Sequence, residues 1–395
     1  METRRPTQPP NRQPVTAMRR HSPPNDSPDL RILVRGVNWL GDAVMTTPAL
    51  LRLREAYPQS HITLLTHLKL ASLWEHHPAI NEILTFNQNS SLRQIAQNLR
   101  PHQFHIGLAL PNSHRSALEL WLASIPHRIG FSAPARSWFL TQALRHPPHY
   151  VRMRKRTPKE ARKRYLANQP PDPLPPPSAH QIHLYLHLTA ALGAKADPLP
   201  PQLHVTPKEI LQARATFNVP ENQRWIGLNA GAEYGPAKRW PLDRFAQTAA
   251  LTQQKTGCHL LILGGPADLN LAQDLHQQIR HLNPNLPPPV TATGKTSLRQ
   301  LCALLKCCHA LLTNDSGPMH VAAALNVPVI TPFGSTSPEL TGPGLPGDPK
   351  HHILRQRTPC NPCFLRHCPV NLPCMTQITV ESAVHALLQS LTPDP

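Results

Sequence analysis

The sequence lacks long apolar runs. A membrane-spanning helix needs roughly 20 consecutive apolar residues, and no stretch of these 395 residues reaches that length. The first residues are basic, but no apolar segment follows them, so the pattern of a secretory signal peptide is missing. We therefore expect a cytoplasmic protein whose eight cysteines stay mostly reduced.

Acidic residues are scarce. The chain has 22 Asp and Glu against 40 Lys and Arg, so its formal net charge is +18 with neutral histidines. A field of this sign favours anionic partners, which include phosphates, nucleic acids and anionic membrane surfaces. However, the basic residues cluster in one internal segment and in a tail, and no RNA- or DNA-reading motif interleaves aromatic residues with them. We therefore expect no specific nucleic-acid partner.

The chain is long enough for two ordinary α/β domains. Residues 1–28 are rich in Pro, Arg and Gln without periodicity, which predicts a disordered tail. Short apolar strands then alternate with helices in two stretches, a pattern typical of doubly wound parallel sheets. The predicted strands are 30–34, 61–66, 82–86, 104–110, 225–229, 258–263, 310–312 and 327–331. The predicted helices are 47–57, 68–76, 91–99, 113–123, 180–193, 242–255, 267–280, 297–307, 318–326 and 379–391.

A Pro-rich break at residues 194–206 separates the two stretches. It predicts one domain over residues 29–195, a second over 196–380, and a C-terminal helix and tail over 381–395. Glycine turns follow many strands in both halves, and the carboxyl ends of parallel strands form the ligand crevice of such sheets. We therefore expect a ligand in the cleft between the two domains.

One strand–turn–helix unit has the features of a phosphate site. The apolar residues 310–312 give way to Asn-Asp-Ser-Gly at 314–317, and Pro318 suits the first position of a helix because it has no N–H to leave unpaired. Free backbone N–H groups at such a helix start can bind a phosphate. In the alternative interpretation Ser316 is only a helix cap and Gly317 only a turn residue. On this stretch alone both interpretations stand.

A second glycine-bracketed segment, residues 35–42, follows the first predicted strand. Its Asp42 is a carboxylate on a loop at the predicted cleft. There it can take a proton as a general base, or it can simply cap the following turn. Gly36 and Gly41 allow the backbone to approach a ligand, or they only make the turn.

Three motifs of the chain, taken together, resemble those of one family. They are NWLGD at 38–42, GAEYGPAKRWP at 231–241 and DSGPMH at 315–320. Their order is that of the bacterial lipopolysaccharide heptosyltransferases of glycosyltransferase family 9, and the resemblance extends from residue 30 almost to the end of the chain. The central motif and the late cysteine-rich loop resemble the heptosyltransferase II branch.

This resemblance implies an inverting glycosyltransferase of the GT-B fold, in which two Rossmann-like domains face a central cleft. It implies transfer of L-glycero-D-manno-heptose from ADP-heptose to the first heptose of the lipopolysaccharide inner core, carried on heptosyl-Kdo2-lipid A. The N-terminal half would hold this acceptor and the C-terminal half the nucleotide sugar, and no cofactor would be required. The alternative is another nucleotide-sugar-dependent GT-B enzyme with a different sugar or acceptor.

The resemblance also implies roles for single residues on the acceptor side. Asp42 matches the family's proposed general base, which takes the proton of the acceptor hydroxyl as the sugar carbon is attacked. Asn38, Trp39 and Gly41 belong to the same loop and are predicted either to border the acceptor or to shape that loop.

On the donor side, negative charge grows on the diphosphate as ADP leaves, so fixed positive groups are needed. Lys238 matches the lysine that contacts the phosphates in the family. Ser316 and Gly317 open the helix whose N–H groups would bind the same diphosphate. Asp315 and His320 match residues that line the donor site, although a packed helix histidine is the alternative for His320.

Two further donor contacts are predicted at neighbouring turns. Asp268 could hold the ribose hydroxyls by analogy with nucleotide-binding folds, or it could be an acid placed at a helix start. Thr296 lies where relatives contact adenine. No Asp-x-Asp pair stands near a strand end, so we predict a positive clamp on the diphosphate and no metal.

Four cysteines lie in one short late loop: Cys360, Cys363, Cys368 and Cys374. Close pairs are the usual ligand spacing of tetrahedral zinc, so a zinc site is an alternative to the prediction of no metal. The last two cysteines are not a tight pair, and buried or incidental thiols are the simpler interpretation.

A basic, Pro-rich segment at 145–178 is predicted to be a surface insertion outside the core. Its residues 145–165 contain nine Lys and Arg and a single Glu. It could be a solvated loop, or it could touch the anionic face of the inner membrane and make the protein peripheral to that membrane. In a third interpretation it binds phosphates and acidic sugars of the acceptor.

Overall fold

A computed structural model describes residues 25–391 of the chain. The predicted disordered tail therefore lies outside the described residues, apart from 25–28. Within these four residues, the Asp26 carboxylate accepts hydrogen bonds from the backbone N–H groups of Gln59 and Ser60 at 3.0 and 3.1 Å. The ordered part of the chain thus begins before residue 30.

Two parallel sheets of six strands each organise the described residues. The first sheet contains β1 (Arg31–Arg35), β2 (His61–His67), β3 (Glu82–Phe86), β4 (Ile106–Ala109), β5 (His127–Phe131) and β6 (Gln142–Leu144). The second contains β7 (Trp225–Asn229), β8 (His259–Ile262), β9 (Val290–Thr291), β10 (Ala310–Thr313), β11 (Val329–Phe333) and β12 (His352–Arg355).

The strand orders are β3-β2-β1-β4-β5-β6 and β12-β11-β10-β7-β8-β9. Numbered within each half, both sheets have the order 3-2-1-4-5-6, which is the doubly wound Rossmann arrangement. The strand order reverses between β1 and β4 in one sheet and between β7 and β10 in the other, and the ligand crevice of such a sheet lies at that point. The predicted pair of doubly wound parallel sheets is confirmed.

Fourteen α-helices accompany the sheets between residues 25 and 391. They are α1 (Leu40–Met45), α2 (Thr47–Ala56), α3 (Leu92–Leu99), α4 (His114–Leu122), α5 (Pro158–Leu166), α6 (Gln181–Ala190), α7 (Pro207–Phe217), α8 (Leu242–Thr256), α9 (Leu269–Leu282), α10 (Leu298–Cys307), α11 (Gly317–Ala324), α12 (Pro338–Thr341), α13 (Pro373–Thr376) and α14 (Val380–Leu391). None of the helices in this range is both long and apolar enough to cross a membrane.

The eight predicted strands are all present, because central strands of a parallel sheet are buried on both faces and appear as apolar runs. In β1, residues 32–35 are buried, and β10 and β11 are buried throughout. Four strands were missed: β5, β6, β9 and β12. β6 and β9 are only three and two residues long, while β5 begins with His-Arg and β12 is only half-buried, so neither periodicity nor apolarity marks them.

Helices α5, α7, α12 and α13 were not predicted, and two further errors concern helices. The segment predicted as a helix at 68–76 is a 3-10 helix over Leu68–Trp74. Helix α1 begins at Leu40, inside the predicted loop 35–42, because Trp39 takes the N-cap position with extended backbone (φ −102°, ψ 141°). Asp42 therefore lies in the first turn of a short helix and not on a loop.

The basic segment 145–178 was predicted to lie outside the core, but part of it is buried. Ala161 of α5 is fully buried in a small apolar cluster with Cys360, Cys363 and Leu365. Arg156 is also buried, and its backbone N–H donates to the carbonyl of Cys363 at 2.9 Å. The prediction is wrong at these positions, because the partner is a loop some 200 residues further along the chain, which no local pattern reveals.

The Pro-rich connection at 194–206 contacts helices of both halves. The Gln202 N–H donates to Thr47 Oγ1 in α2 at 3.0 Å, and the Leu203 N–H donates to the carbonyl of Ala324 at the end of α11 at 3.1 Å. The exact domain bounds at 195 and 196 remain a prediction.

Candidate active site

The first turns of α1 and α11, one from each half, pack against each other through two glycines. A Cβ atom on Gly41 would lie 2.6 Å from Cδ2 of His320, and one on Gly317 would lie 2.8 Å from Cδ2 of Leu40. Real Cβ atoms do not approach other atoms so closely. The missing side chains therefore allow the helices that follow β1 and β10 to meet at the carboxyl ends of the two sheets.

Gly41→Ala is expected to lower the free energy of unfolding by about 1–3 kcal/mol, since overpacking a filled site costs that much. The ring of His320 is buried and lies directly against the position of the added methyl group. Denaturant unfolding of the variant and wild type measures the effect. Gly265→Ala is the matched control, because its Cβ would have no neighbour closer than 3.9 Å and its φ of −81° suits alanine. Equal stability of the two variants would contradict the close contact.

A cavity of about 430 Å³ opens where these two helices meet. Its walls come from both halves of the chain. Eight predicted site residues line it: Trp39, Gly41, Asp42, Lys238, Asp315, Ser316, Gly317 and His320. Three predicted site residues do not: Asn38, Asp268 and Thr296. The roles of all eleven remain predictions, but eight of them now share one cavity.

Asp42 is half-buried in the wall of this cavity. Burial raises the pKa of its carboxyl to about 6, while the charge of Lys238 lowers it and the charge of Asp315 raises it. A carboxylate with this pKa is deprotonated at neutral pH and still basic enough to accept a proton, which is what a general base requires.

Lys238 and Asp315 form an ion pair in the opposite wall. Their Nζ and Oδ2 atoms lie 2.6 Å apart, and the Asp315 side chain is only 5% exposed. The hydroxyl of Thr336 donates to the same Oδ2 at 2.6 Å. The Lys238 Nζ also lies 5.1 Å from the centroid of the Tyr234 ring. The ammonium group is thus held in one place while it still faces the cavity.

Ser316 and Gly317 begin α11, but Ser316 does not cap it. Its side chain makes no capping hydrogen bond; its Oγ instead lies 3.2 Å from both Asn229 Nδ2 and Thr313 Oγ1. The first N–H groups of α11 therefore have no side-chain acceptor from this residue, and such a helix start suits an anion. The alternative in which Ser316 is only a cap does not fit this geometry.

His320 is buried and lines the cavity. Burial lowers its pKa to about 4, the carboxylate of Asp315 raises it, and Lys238 and His351 lower it further. The imidazole is therefore neutral at physiological pH. It can exchange hydrogen bonds with a sugar hydroxyl but contributes no charge to a diphosphate.

Asn38 is exposed and lies outside the cavity lining, whereas Trp39 is part of that lining. The Asn38 Oδ1 accepts a hydrogen bond from Arg35 Nη1 at 3.0 Å, and Arg35 forms a buried ion pair with Glu119 at 2.8 Å. This hydrogen bond holds Asn38 within its loop, and a contact of Asn38 with the acceptor stays a prediction. The indole of Trp39 is 52% exposed, with Lys69 Nζ 5.3 Å from its ring centroid, and offers a flat face to a sugar.

Asp268 and Thr296 lie at turns and are not part of the cavity lining. The Asp268 Oδ2 accepts the Gly265 N–H at 3.1 Å, which is the helix-start arrangement of the alternative interpretation. The same carboxylate lies against Gly231, the first residue of the central motif. Thr296 directly precedes Ser297, the N-cap of α10. Contacts of these two residues with ribose and adenine stay predictions.

Sequence reasoning missed Asn314 as a positioning residue. It is fully buried, its Nδ2 donates to the carbonyl of Ala230 at 2.7 Å, and its Oδ1 accepts the Trp240 N–H at 3.0 Å. It thereby ties both ends of the loop that carries Lys238 to the end of β10. Its place directly before Asp315 was visible in the sequence, but its partners were not.

The four late cysteines form no close set of ligand atoms among the described residues, and a zinc site there stays a prediction. Within residues 25–391, three potential ligand atoms lie within 4.8 Å of one another only at Glu75, His76 and Glu209, and the cysteines form no such group. Burial raises the pKa of Cys363 to about 11 and that of Cys374 to about 12, and in both cases the neighbouring cysteines of the loop raise it further.

Comparison with known proteins agrees with the sequence motifs. The family model described as glycosyltransferase family 9 (heptosyltransferase) matches residues 92–372. Lipooligosaccharide heptosyltransferase 2 of Haemophilus ducreyi is 30% identical over 329 residues, which cover 80% of this chain and 86% of that protein. Lipopolysaccharide heptosyltransferase 2 of Escherichia coli is 29% identical over 326 residues, which cover 80% and 85%.

Solved structures agree as well. The structure of E. coli ADP-heptose lipopolysaccharide heptosyltransferase II superposes with a TM-score of 0.70 at 27% identity and covers 92% of this chain and 98% of its own. The glycosyltransferase family 9 structure from Veillonella parvula has a TM-score of 0.66 at 26% identity and covers 82% and 85%. The predicted GT-B fold is confirmed, and this chain belongs to glycosyltransferase family 9, the heptosyltransferase family.

Proposed function

We propose that this glycosyltransferase moves L-glycero-D-manno-heptose from ADP-heptose to the first heptose of the lipopolysaccharide inner core, with heptosyl-Kdo2-lipid A as acceptor. The curated relatives that match most of the chain are heptosyltransferases 2. The observation that carries the chemistry is the cavity in which Asp42 faces the Lys238–Asp315 pair and the start of α11.

The donor diphosphate fits the wall formed by the C-terminal half. Lys238 supplies a positive charge there, and the N–H groups at the start of α11, beside Ser316 and Gly317, supply hydrogen-bond donors. These fixed groups stabilise the charge that grows on ADP as it leaves, so the proposal requires no cofactor. Asp315 and His320 line the same wall and would border the sugar and phosphate.

The transfer step uses Asp42 as the base. The Asp42 carboxylate takes the proton of an acceptor hydroxyl, and the acceptor oxygen forms a bond to the anomeric carbon of the heptose. The bond from that carbon to the β-phosphate oxygen breaks on the opposite face, and ADP leaves with the electron pair. The configuration at the anomeric carbon is inverted.

Release of ADP tests the proposed function. ADP-heptose is incubated with heptosyl-Kdo2-lipid A and, as the matched control, with Kdo2-lipid A that lacks the heptose. We expect ADP release and acceptor extension only with the heptosylated acceptor. Binding of ADP-heptose without extension of either acceptor would mean that the acceptor is wrong, and another ADP-sugar as the better donor would favour the alternative enzyme.

We further propose that the protein works on the cytoplasmic side, peripheral to the anionic inner membrane. The outer face of α5 carries exposed Lys159, Arg162 and Lys163 and ends at Leu166, which is 69% exposed. Each basic residue near such a surface contributes on the order of 1 kcal/mol at most. Together they would attract the protein to the surface that holds its lipid acceptor.

Changing these three basic residues to alanine is expected to reduce binding to vesicles of mixed phosphatidylglycerol and phosphatidylcholine by about tenfold or more. Co-sedimentation in low and high salt measures the effect, because electrostatic binding is screened by salt. Lys208→Ala, a change of one exposed lysine on α7, controls for a simple loss of charge. Equal binding of wild type to purely neutral vesicles would contradict the proposal.

A further inference from the structure

Two cations at the mouth of the cavity have no carboxylate partner among residues 25–391. Lys155 comes from the basic segment of the N-terminal half, and Arg366 comes from the loop after β12. Neither side chain forms an ion pair within this range, whereas Lys238, which lines the same cavity, pairs with Asp315. Both residues are exposed to solvent, so they are open to a ligand that enters from outside.

The position of Arg366 is determined by its neighbours. Its guanidinium lies 5.2 Å from the centroid of the Tyr234 ring, and its carbonyl accepts the Ala237 N–H at 3.0 Å. The hydroxyl of Tyr234 donates to the carbonyl of Phe364 at 2.7 Å, which holds the ring. Lys238 contacts the same ring, so Arg366 is a second positive group, one aromatic ring away from Lys238.

The position of Lys155 is determined by an anchor at the next residue. The Arg156 N–H donates to the carbonyl of Cys363, and its guanidinium pairs with Glu160 at 2.9 Å and with Asp172. Asp172 also pairs with Arg164 at 2.9 Å. This network holds the basic segment of one half on the cysteine loop of the other, and Lys155 lines the same cavity as Arg366.

The donor offers these two cations no obvious anion. ADP-heptose carries its charge only on the diphosphate, and the proposed function places that group at Lys238 and the start of α11. Adenosine and heptose are uncharged. Positive groups beyond the diphosphate therefore fit an anion on the other substrate, and the acceptor carries both phosphates and carboxylates.

We infer that Lys155 and Arg366 bind an anionic group of the acceptor, a phosphate or a carboxylate, and so act as specificity-determining residues at the cavity mouth. This inference rests on the proposed function. An anion held by both residues would contact two segments that are far apart in the chain, the basic segment and the loop after β12.

Direct binding tests this inference without turnover. The probe is the soluble, deacylated heptosyl-Kdo2 glucosamine-phosphate fragment, titrated into wild type, Lys155→Ala and Arg366→Ala by calorimetry. We expect each change to weaken binding of the fragment by about tenfold, the effect of one charged hydrogen bond, and to leave ADP affinity within about twofold. Lys155→Arg keeps the positive charge and should bind the fragment about as tightly as wild type. Arg152→Ala, an exposed arginine of the same segment outside the cavity, should bind like wild type.

Two modified fragments identify the anion. One lacks the phosphates, and the other has its Kdo carboxylates reduced to alcohols. For each modified fragment, the affinities of wild type and Lys155→Ala are compared. If the two proteins bind a fragment equally well, that fragment has lost the group that Lys155 binds. In steady-state assays with the full acceptor, we expect the KM for the acceptor to rise and kcat to stay near the wild-type value.

Three outcomes overturn the inference. In the first, Lys155→Ala weakens ADP binding as much as fragment binding, so the cations serve the donor. In the second, wild type extends the acceptor but both variants bind the fragment normally; the inference then fails while the proposed function stands. In the third, wild type binds ADP-heptose but neither binds nor extends the acceptor, and the proposed function and the inference fail together.

Discussion

Asp42→Asn is expected to lower kcat by about 10²–10⁴-fold, the usual contribution of a positioned general base, and to leave ADP affinity within about twofold of wild type. The amide has nearly the same shape but cannot accept the acceptor's proton. Initial rates of ADP release measure kcat, and calorimetry measures ADP binding. Asp243→Asn changes a carboxylate in the first turn of the exposed start of α8 and serves as the matched control, with wild-type activity expected.

The pH profile gives a second readout of the same residue. Asp42 acts as a base only when it is deprotonated, and burial raises its pKa to about 6. We therefore expect kcat/KM to fall as the pH drops below about 6 and to level off above that. Asp42→Asn should lose this acidic limb. A variant that keeps the limb, or that retains a rate within tenfold of wild type, would show that another group is the base.

Stability separates a loss of chemistry from a loss of fold. The pKa of the Asp42 carboxyl is higher in the folded protein than its ordinary value of 3.8. Such a carboxyl stabilises the fold at pH values below 3.8, and this contribution disappears as the pH rises through about 6. At neutral pH the folded protein therefore holds the Asp42 charge at a cost. Asp42→Asn should be at least as stable as wild type there in denaturant unfolding, so lost activity would not reflect unfolding.

Lys238→Met is expected to weaken ADP-heptose binding by about 10- to 100-fold, because a charged hydrogen bond to a phosphate contributes roughly 1.5–3 kcal/mol. The methionine keeps the length of the side chain but loses its charge. Calorimetric titration with ADP measures the loss. Lys255→Met, an exposed lysine near the end of α8, controls for the change of net charge and should bind ADP like wild type.

Substitutions at Lys238 and at Asp315 should shift the acidic limb of the kcat/KM profile in opposite directions. Lys238 lowers the pKa of Asp42, so Lys238→Met should shift the limb of kcat/KM to higher pH. Asp315 raises that pKa, so Asp315→Asn should shift the limb to lower pH. Shifts of the same sign in both variants would mean that Asp42 does not lie in the field of this ion pair.

Lys238→Met also leaves the carboxylate of Asp315 without its partner in a site that is 5% exposed. An unpaired buried charge is strongly destabilising, and removing both charges is much less so. We therefore expect the double variant Lys238→Met/Asp315→Asn to unfold at higher denaturant concentration than Lys238→Met alone.

Much of the fold and part of the site could be predicted from local patterns. The strands β1, β10 and β11 are buried from both sides, so they appear as apolar runs whatever surrounds them. Asp42 and the Asp315–Gly317 segment follow β1 and β10, and residues at the carboxyl ends of parallel strands gather at one edge. Such features depend on a few consecutive residues, which is why one chain is enough to find them.

Contacts between distant segments could not be predicted in this way. Nothing near Lys155 in the chain indicates that Arg156 lies on the carbonyl of Cys363, and nothing near Gly41 indicates the ring of His320. Asn38 accepts a hydrogen bond from Arg35, a partner that only the folded chain makes visible.

By itself, the sequence determined the strand–helix alternation, the two doubly wound sheets and the motifs that place Asp42, Lys238 and Ser316 at strand ends. Only the tertiary structure decided that the first turns of α1 and α11 touch, that Asp315 holds Lys238, and that burial raises the pKa of Asp42 to about 6. The physical reason is the range of the forces involved. Secondary structure follows from the periodicity of neighbouring residues, whereas burial and electrostatic fields depend on which remote segments pack together.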